Sequence, residues 1–75
     1  MLFSTHNYFK DQAALRVLFF TTIKRSMDRV NSLKKLSEET RINYRTLRAF
    51  LKEDRDVDLG VVMKIVSWIE ANQVK

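Results

Sequence analysis

Ser32 to Glu53, SLKKLSEETRINYRTLRAFLKE, is the stretch that decides the fold. Leu33, Leu36 and Thr40 recur at i, i+3 and i+7 with small Ser37 beside them, the spacing of one closely packed helix face. Leu47, Phe50 and Leu51 form a second such set and predict a second short helix. Between them lies a three-residue turn, Arg41-Ile42-Asn43, in which Ile42 supplies an inward apolar plug. Asn43 is a good N-cap, its side-chain oxygen able to accept from the amide of Arg45 or Thr46. At about 100° per residue, Arg45, Arg48, Ala49 and Lys52 fall on the face opposite the apolar set. The second helix therefore shows water three cations and one small residue.

Working outward toward the C-terminus, EDRDVDLG (53–60) is the loop-like stretch of the second half. Asp54, Asp56 and Asp58 alternate as in a calcium loop, but such a loop would need Gly at 59 and Glu at 65. The chain has Leu59 and Ile65, so a solvated turn is expected, with Asp58 capping the last helix and no metal bound. Leu59 to about Asn72 (59–73 at most) is that helix. Val62, Ile65, Val66 and Ile69 form one stripe, and Val61, Met63 and Trp68 widen it. This exceeds what one core face requires. It predicts a second buried surface, most simply a symmetric dimer, with Val61, Trp68 and Phe20 as interface candidates. Trp68 as plain core is the equal alternative.

Toward the N-terminus, Asn31-Ser32 breaks the pattern, with Ser32 an N-cap for the stretch quoted above. Residues 11–30 read as the first helix, its stripe running through Leu15, Leu18, Phe19, Thr22, Ile23, Met27 and Val30. Asp11 near its start and Lys24, Arg25 and Arg29 near its end suit the helix dipole. Val17 and Phe20 fall away from the stripe; the N-terminal lead-in covers them, or they form a patch for a partner. Residues 1–10 lack the charged start and apolar core of a signal peptide. Phe3, Tyr8 and Phe9 there can tuck against the body, and His6 has no second ligand type nearby for a metal. The longest apolar run in this region, Val17 to Phe20, is far too short to cross a bilayer, and the arginines do not form the single polar face of a membrane-surface helix.

The 75 residues predict one domain, all-α, of four helices. The composition has 45% hydrophobic residues, one Gly and no Pro, as an ordered helical chain would. No cysteine is present, so there is no disulfide or thiolate site, and a reducing cytoplasm fits. A chain this size buries only about 60% of its unfolded surface, which makes oligomerisation a natural source of stability. The net charge is +5, unevenly placed. From Lys24 to Lys52 nine Lys/Arg face three acids, whereas Glu53 to Asp58 holds four acids and one Arg. A phosphate-rich partner and ordinary solvated helix faces both account for this. Catalysis is not expected. A single Gly makes no phosphate loop, no Cys nucleophile is available, and adjacent Glu38 and Glu39 point about 100° apart. No cofactor or small-molecule ligand is expected either.

At Ser37, Arg41, Ile42, Asn43, Leu47 and Phe50 the chain resembles the helix-turn-helix of the lambda-repressor/Cro-type DNA-binding family. The family pattern has a small residue five positions into the first helix, Gly at the turn, a branched apolar residue, a polar cap and two core positions. Arg41 stands where the family has Gly, a position that needs left-handed backbone at a cost of about 1 kcal/mol to any other residue. The resemblance runs on through DLGVVMKIVSWIEA and covers a little over half the chain. It implies a repressor-like transcriptional regulator of the kind found in bacteriophages and bacteria, binding double-stranded DNA as a homodimer. It further implies that Tyr44, Arg45 and Ala49 reach base edges, with Arg45 suited to a bidentate contact to guanine. Lys34, Lys35, Arg41, Asn43, Arg48 and Lys52 are the candidates for phosphate. The rival expectation is a helical protein-interaction module, an adaptor or inhibitor, that docks a partner through Phe20 and Trp68.

Overall fold

Each of the four helices that start within the described residues begins where a short polar side chain can satisfy a free amide. In the computed structural model, which describes residues 10–28, 30–52 and 55–72, these side chains are Asp11, Ser32, Asn43 and Asp58. Asp11 accepts from the amide of Ala14 at 3.2 Å and opens α1, Gln12–Arg25. Ser32 accepts from Lys35 at 3.2 Å and opens α2, Leu33–Thr40. Asn43 accepts from Arg45 at 2.9 Å and opens α3, Tyr44–Lys52. Asp58 accepts from Val61 at 3.0 Å and opens α4, Leu59–Ala71. The chain is all-α among its described residues, as its composition predicted.

The first helix is shorter than the expected 11–30. Ser26 donates its amide to Ile23 at 3.0 Å, which tightens the last turn and ends α1. Val30 then reaches the core from the following turn, its amide on the Ser26 carbonyl at 2.7 Å. Met27 does not continue the stripe as expected; it lies in that turn and is 51% exposed. Leu15, Phe19 and Thr22 are buried, and Leu18 and Ile23 pack at the margin. The lead-in residues Phe3, His6, Tyr8 and Phe9, together with Arg29, Glu53, Asp54 and Gln73, lie outside the described residues.

α1 packs on α3 and α4, and α2 also packs on α3 and α4. Among the described residues neither α1 with α2 nor α3 with α4 forms a direct packing pair. α4 is thus walled by two helices of its own chain and buries Val62, Ile65, Val66, Trp68 and Ile69 between them. That explains its wide apolar surface without a second chain. Trp68, an interface candidate above, is core: only 6% of it is exposed. Its ring stands edge-on to Phe19 at 5.6 Å, and its Nε1 donates to Glu39 Oε1 at 3.1 Å. Phe19 also meets Phe50 at 6.3 Å, so three aromatic rings tie α1, α3 and α4 together. Val61 is half-buried against the core, which leaves Phe20 as the exposed member of the three dimer candidates. No helix among the described residues is long and apolar enough to cross a membrane.

Candidate nucleic-acid interface

The α2–α3 pair is locked through its connection. Arg41 ends α2 in the left-handed conformation, φ 61° and ψ 31°, as its place in the turn required. Its amide donates to the Ser37 carbonyl at 2.9 Å, and its own carbonyl accepts from Lys64 Nζ of α4 at 3.1 Å. Ser37 does more than stay small: its hydroxyl donates to the Ile42 carbonyl at 2.7 Å, across the turn. Ile42 is buried as the expected plug. Thr40, also buried, donates to the Leu36 carbonyl at 2.8 Å while its oxygen lies 3.4 Å from the Ile42 amide. The angle between the two helices is therefore set by backbone groups that have partners, not by apolar contact alone.

The far end of α3 is held by α1. Arg16 Nε donates to the Phe50 carbonyl at 2.7 Å, and its Nη2 donates to the Arg55 carbonyl at 3.3 Å. The same guanidinium lies 4.4 Å from the Phe50 ring centroid and 3.9 Å from Asp56. A cation on the last carbonyls of a helix satisfies groups with no intrahelical partner and favours its dipole. One turn earlier, buried Gln12 bonds both backbone groups of Val57, its Nε2 to the carbonyl and its Oε1 to the amide, each at 2.8 Å. Gln12 and Arg16 were not singled out from the sequence. An inward polar residue breaks the apolar stripe and reads as an exposed position; only their i, i+4 spacing hints at a shared task.

Between these two fixed ends the outward face of α3 carries Arg45, Arg48 and Lys52, all exposed. Lys34 and Lys35 are exposed in the first turn of α2, as is Arg41 in the connection. None of these six cations is held in an ion pair among the described residues. Lys34 and Lys35 sit at the positive end of α2, an arrangement that costs each helix end some tenths of a kcal/mol and that an anion would reverse. Asn43 has its side-chain oxygen engaged as the cap, so the amide NH2 is what it can offer a phosphate.

The face divides into two flanks. Tyr44, 45% exposed, lies with Arg48 and Lys52 on the side toward α1. Arg45 lies with Thr46 and Ala49 on the other side, against the 55–58 connection and Val61. Ala49 is half-buried there, less open than the outward position expected for it. Asp56 and Asp58 are exposed on that same flank. Arg45 and the Tyr44–Arg48–Lys52 set therefore sit in different electrostatic surroundings, the first beside Asp56 and Asp58 and the second with no acid lining its groove among the described residues. No protein-family model matches the chain, and no curated protein or solved structure does either.

Proposed function

We propose that this protein binds double-stranded DNA as a sequence-specific transcriptional regulator, with α2, Arg41-Ile42-Asn43 and α3 acting as a helix-turn-helix. The observation that supports this is the outward face of α3: three exposed cations, unpaired among the described residues, on a helix pinned at both ends. A major groove about 12 Å wide admits such a helix. Arg45, in its first turn, is the reader of a base edge, with Tyr44 and Ala49 alongside. Lys52, two turns later, meets the backbone where the helix leaves the groove, and Arg48, Lys34, Lys35, Arg41 and Asn43 add phosphate contacts. The regulator reading is that of a cytoplasmic repressor on an inverted repeat.

Arg45→Ala should cost about 1–3 kcal/mol on a selected site and relax the preference at one base pair. Lys52→Ala should weaken selected and random DNA alike and lower the salt slope by about one unit. Affinity for both duplexes across a salt series, after selection of bound sites from random DNA, measures both. Equal losses on both duplexes for Arg45→Ala would remove it as a base reader. If neither variant changed either affinity, the protein-interaction module, for which exposed Phe20 speaks, would replace this reading.

A homodimer remains part of the proposal, in a narrower form. With Trp68 inside the core, α4 keeps Leu59 and Met63 as its exposed large apolar side chains. Two side chains fall well short of the roughly 800 Å² per partner that a stable interface buries. Pairing therefore belongs on DNA, over half-sites about one helical turn apart or a multiple of it. Sedimentation should find a monomer in free solution and two copies on the selected site; a free dimer at micromolar concentration would refute this form of assembly.

A further inference from the structure

Because α1 and α2 do not pack on each other, an open groove of about 630 Å³ runs between them over α3. Its floor and walls are Phe20, Ile23 and Met27 from the α1 side, Leu33 of α2, and Tyr44 and Leu51 of α3. Phe20 is 53% exposed, and Val17, 67% exposed, extends the apolar surface beyond it. A contiguous apolar patch of this kind on so small a chain marks an interaction surface. Its margin is cationic. Arg48 and Lys52 line it, and Lys24 Nζ lies 6.0 Å from the Phe20 ring centroid. No acidic residue lines it among the described residues.

We infer that this groove docks an acidic amphipathic helix from a partner protein, its apolar stripe against Phe20, Met27 and Tyr44 and its carboxylates against Lys24, Arg48 and Lys52. A groove between helices takes a helix through anchors at i, i+3 or i+4 and i+7. The charged margin selects its sign. It also argues against a second copy of this chain: two-fold pairing here would bring Lys24, Arg48 and Lys52 against the same cations of the other copy. Tyr44, Arg48 and Lys52 belong to the proposed DNA face as well, so the helix and the duplex exclude each other. That exclusion rests on the DNA-binding reading; the docking itself does not.

The probe is a displayed library of short amphipathic helices with a fixed leucine stripe and flanking positions free to be acidic or basic, selected against the full chain. Enriched clones should be biased to Asp and Glu. A synthetic clone should move the Met27 methyl resonance and leave that of Met63 on α4 unmoved. Phe20→Ser and Arg48→Glu, both at exposed positions, should each weaken it by about tenfold or more with thermal stability unchanged. The clone should also release a bound duplex. Unbiased or basic clones, clones that move Met63 instead, or no enrichment over the Phe20→Ser protein would overturn the docking site. So would a Met27 resonance that shifts on dilution of the protein alone, which means a second copy. So would its broadening by a spin label on Ser4→Cys, which means the groove holds the chain's own N-terminal segment. A clone that moves Met27 in a protein unable to bind any duplex would leave the docking standing and sink the DNA reading. A ternary complex would sink the exclusion.

Discussion

Replacing Gln12 tests what holds the α3–α4 connection in place. Gln12 is 5% exposed and spends both ends of its amide on Val57, at 2.8 Å each. Gln12→Ala removes both bonds and leaves a part-buried amide and carbonyl without partners, at about 1–3 kcal/mol for each group left unsatisfied. Water can reach some of that site once the side chain is gone, so the expected loss is about 2–4 kcal/mol. That is a large share of the stability of a domain this small. Urea unfolding followed by the fluorescence of the single, buried Trp68 measures it. Gln12→Glu supplies the diagnostic. One carboxylate oxygen can still accept from the Val57 amide, but the other faces the Val57 carbonyl, and burial penalises the charge further. The new carboxyl group is therefore held above its ordinary pKa when folded. A group raised in this way contributes stability that is fully present below its unfolded pKa and lost as pH rises through the folded one. Gln12→Glu should accordingly recover toward the parent as pH falls from about 7 into the carboxyl range, while the Gln12→Ala deficit stays flat. A Gln12→Ala loss under about 0.5 kcal/mol, the range of inconsequential surface changes, would refute the clamp. A Gln12→Glu deficit that does not shrink on acidification would do the same.

Three more substitutions follow from the anchors of α3. Arg16→Met keeps much of the side-chain stem but deletes a charged hydrogen bond to the Phe50 carbonyl and the cation over its ring, and should cost about 1.5–3 kcal/mol by the same unfolding assay. Asp56→Asn, which touches only the long 3.9 Å ion pair on its exposed side, should change stability by less than about 0.5 kcal/mol. Arg41→Gly relieves the left-handed strain while the hydrogen bonds of its two backbone groups remain, and should raise stability by about 0.5–1 kcal/mol less the entropy Gly gains in the unfolded chain. A fall in melting temperature for Arg41→Gly would mean that the Arg41 side chain stabilises the turn in a way its exposed position does not account for.

The elements were legible because their boundaries are written in local chemistry. Ser32, Asn43 and Asp58 cap the helices they were expected to cap, since an N-cap needs only a short acceptor before a periodic run. Asp11 was placed inside the first helix and stands just before it. The α3 face was legible for a related reason: a short helix rotates by a fixed angle per residue, so burying Leu47 and Phe50 turns Arg45 and Lys52 outward. What failed to show was anything that depends on how many neighbours an element has. The wide apolar face of α4 looks the same whether a second copy covers it or, as here, α1 and α2 do. Trp68 stood evenly between a dimer interface and plain core on that ambiguity, and the structure makes it core. The half-burial of Ala49 arises likewise from the 55–58 connection, whose backbone Gln12 and Arg16 hold from α1.

The cations of this chain fall into two groups by what their side chains contact. Lys64 donates to the Arg41 carbonyl at the entrance of α3, and Arg16 donates to the Phe50 carbonyl at its exit. Both place their charge on helix-end backbone oxygens. Arg45, Arg48 and Lys52, on the helix so held, have no such internal partner among the described residues. Because an exposed, unpaired charge contributes little to folding, these three have no structural reason to be cationic. The anchored pair does. Unpaired positive charge gathered on a helix that is fixed at both ends would suit a polyanionic partner: a strong local field on a surface whose geometry does not have to be ordered at the moment of binding. The net charge of +5 alone does not motivate the proposed function; the division among its carriers does.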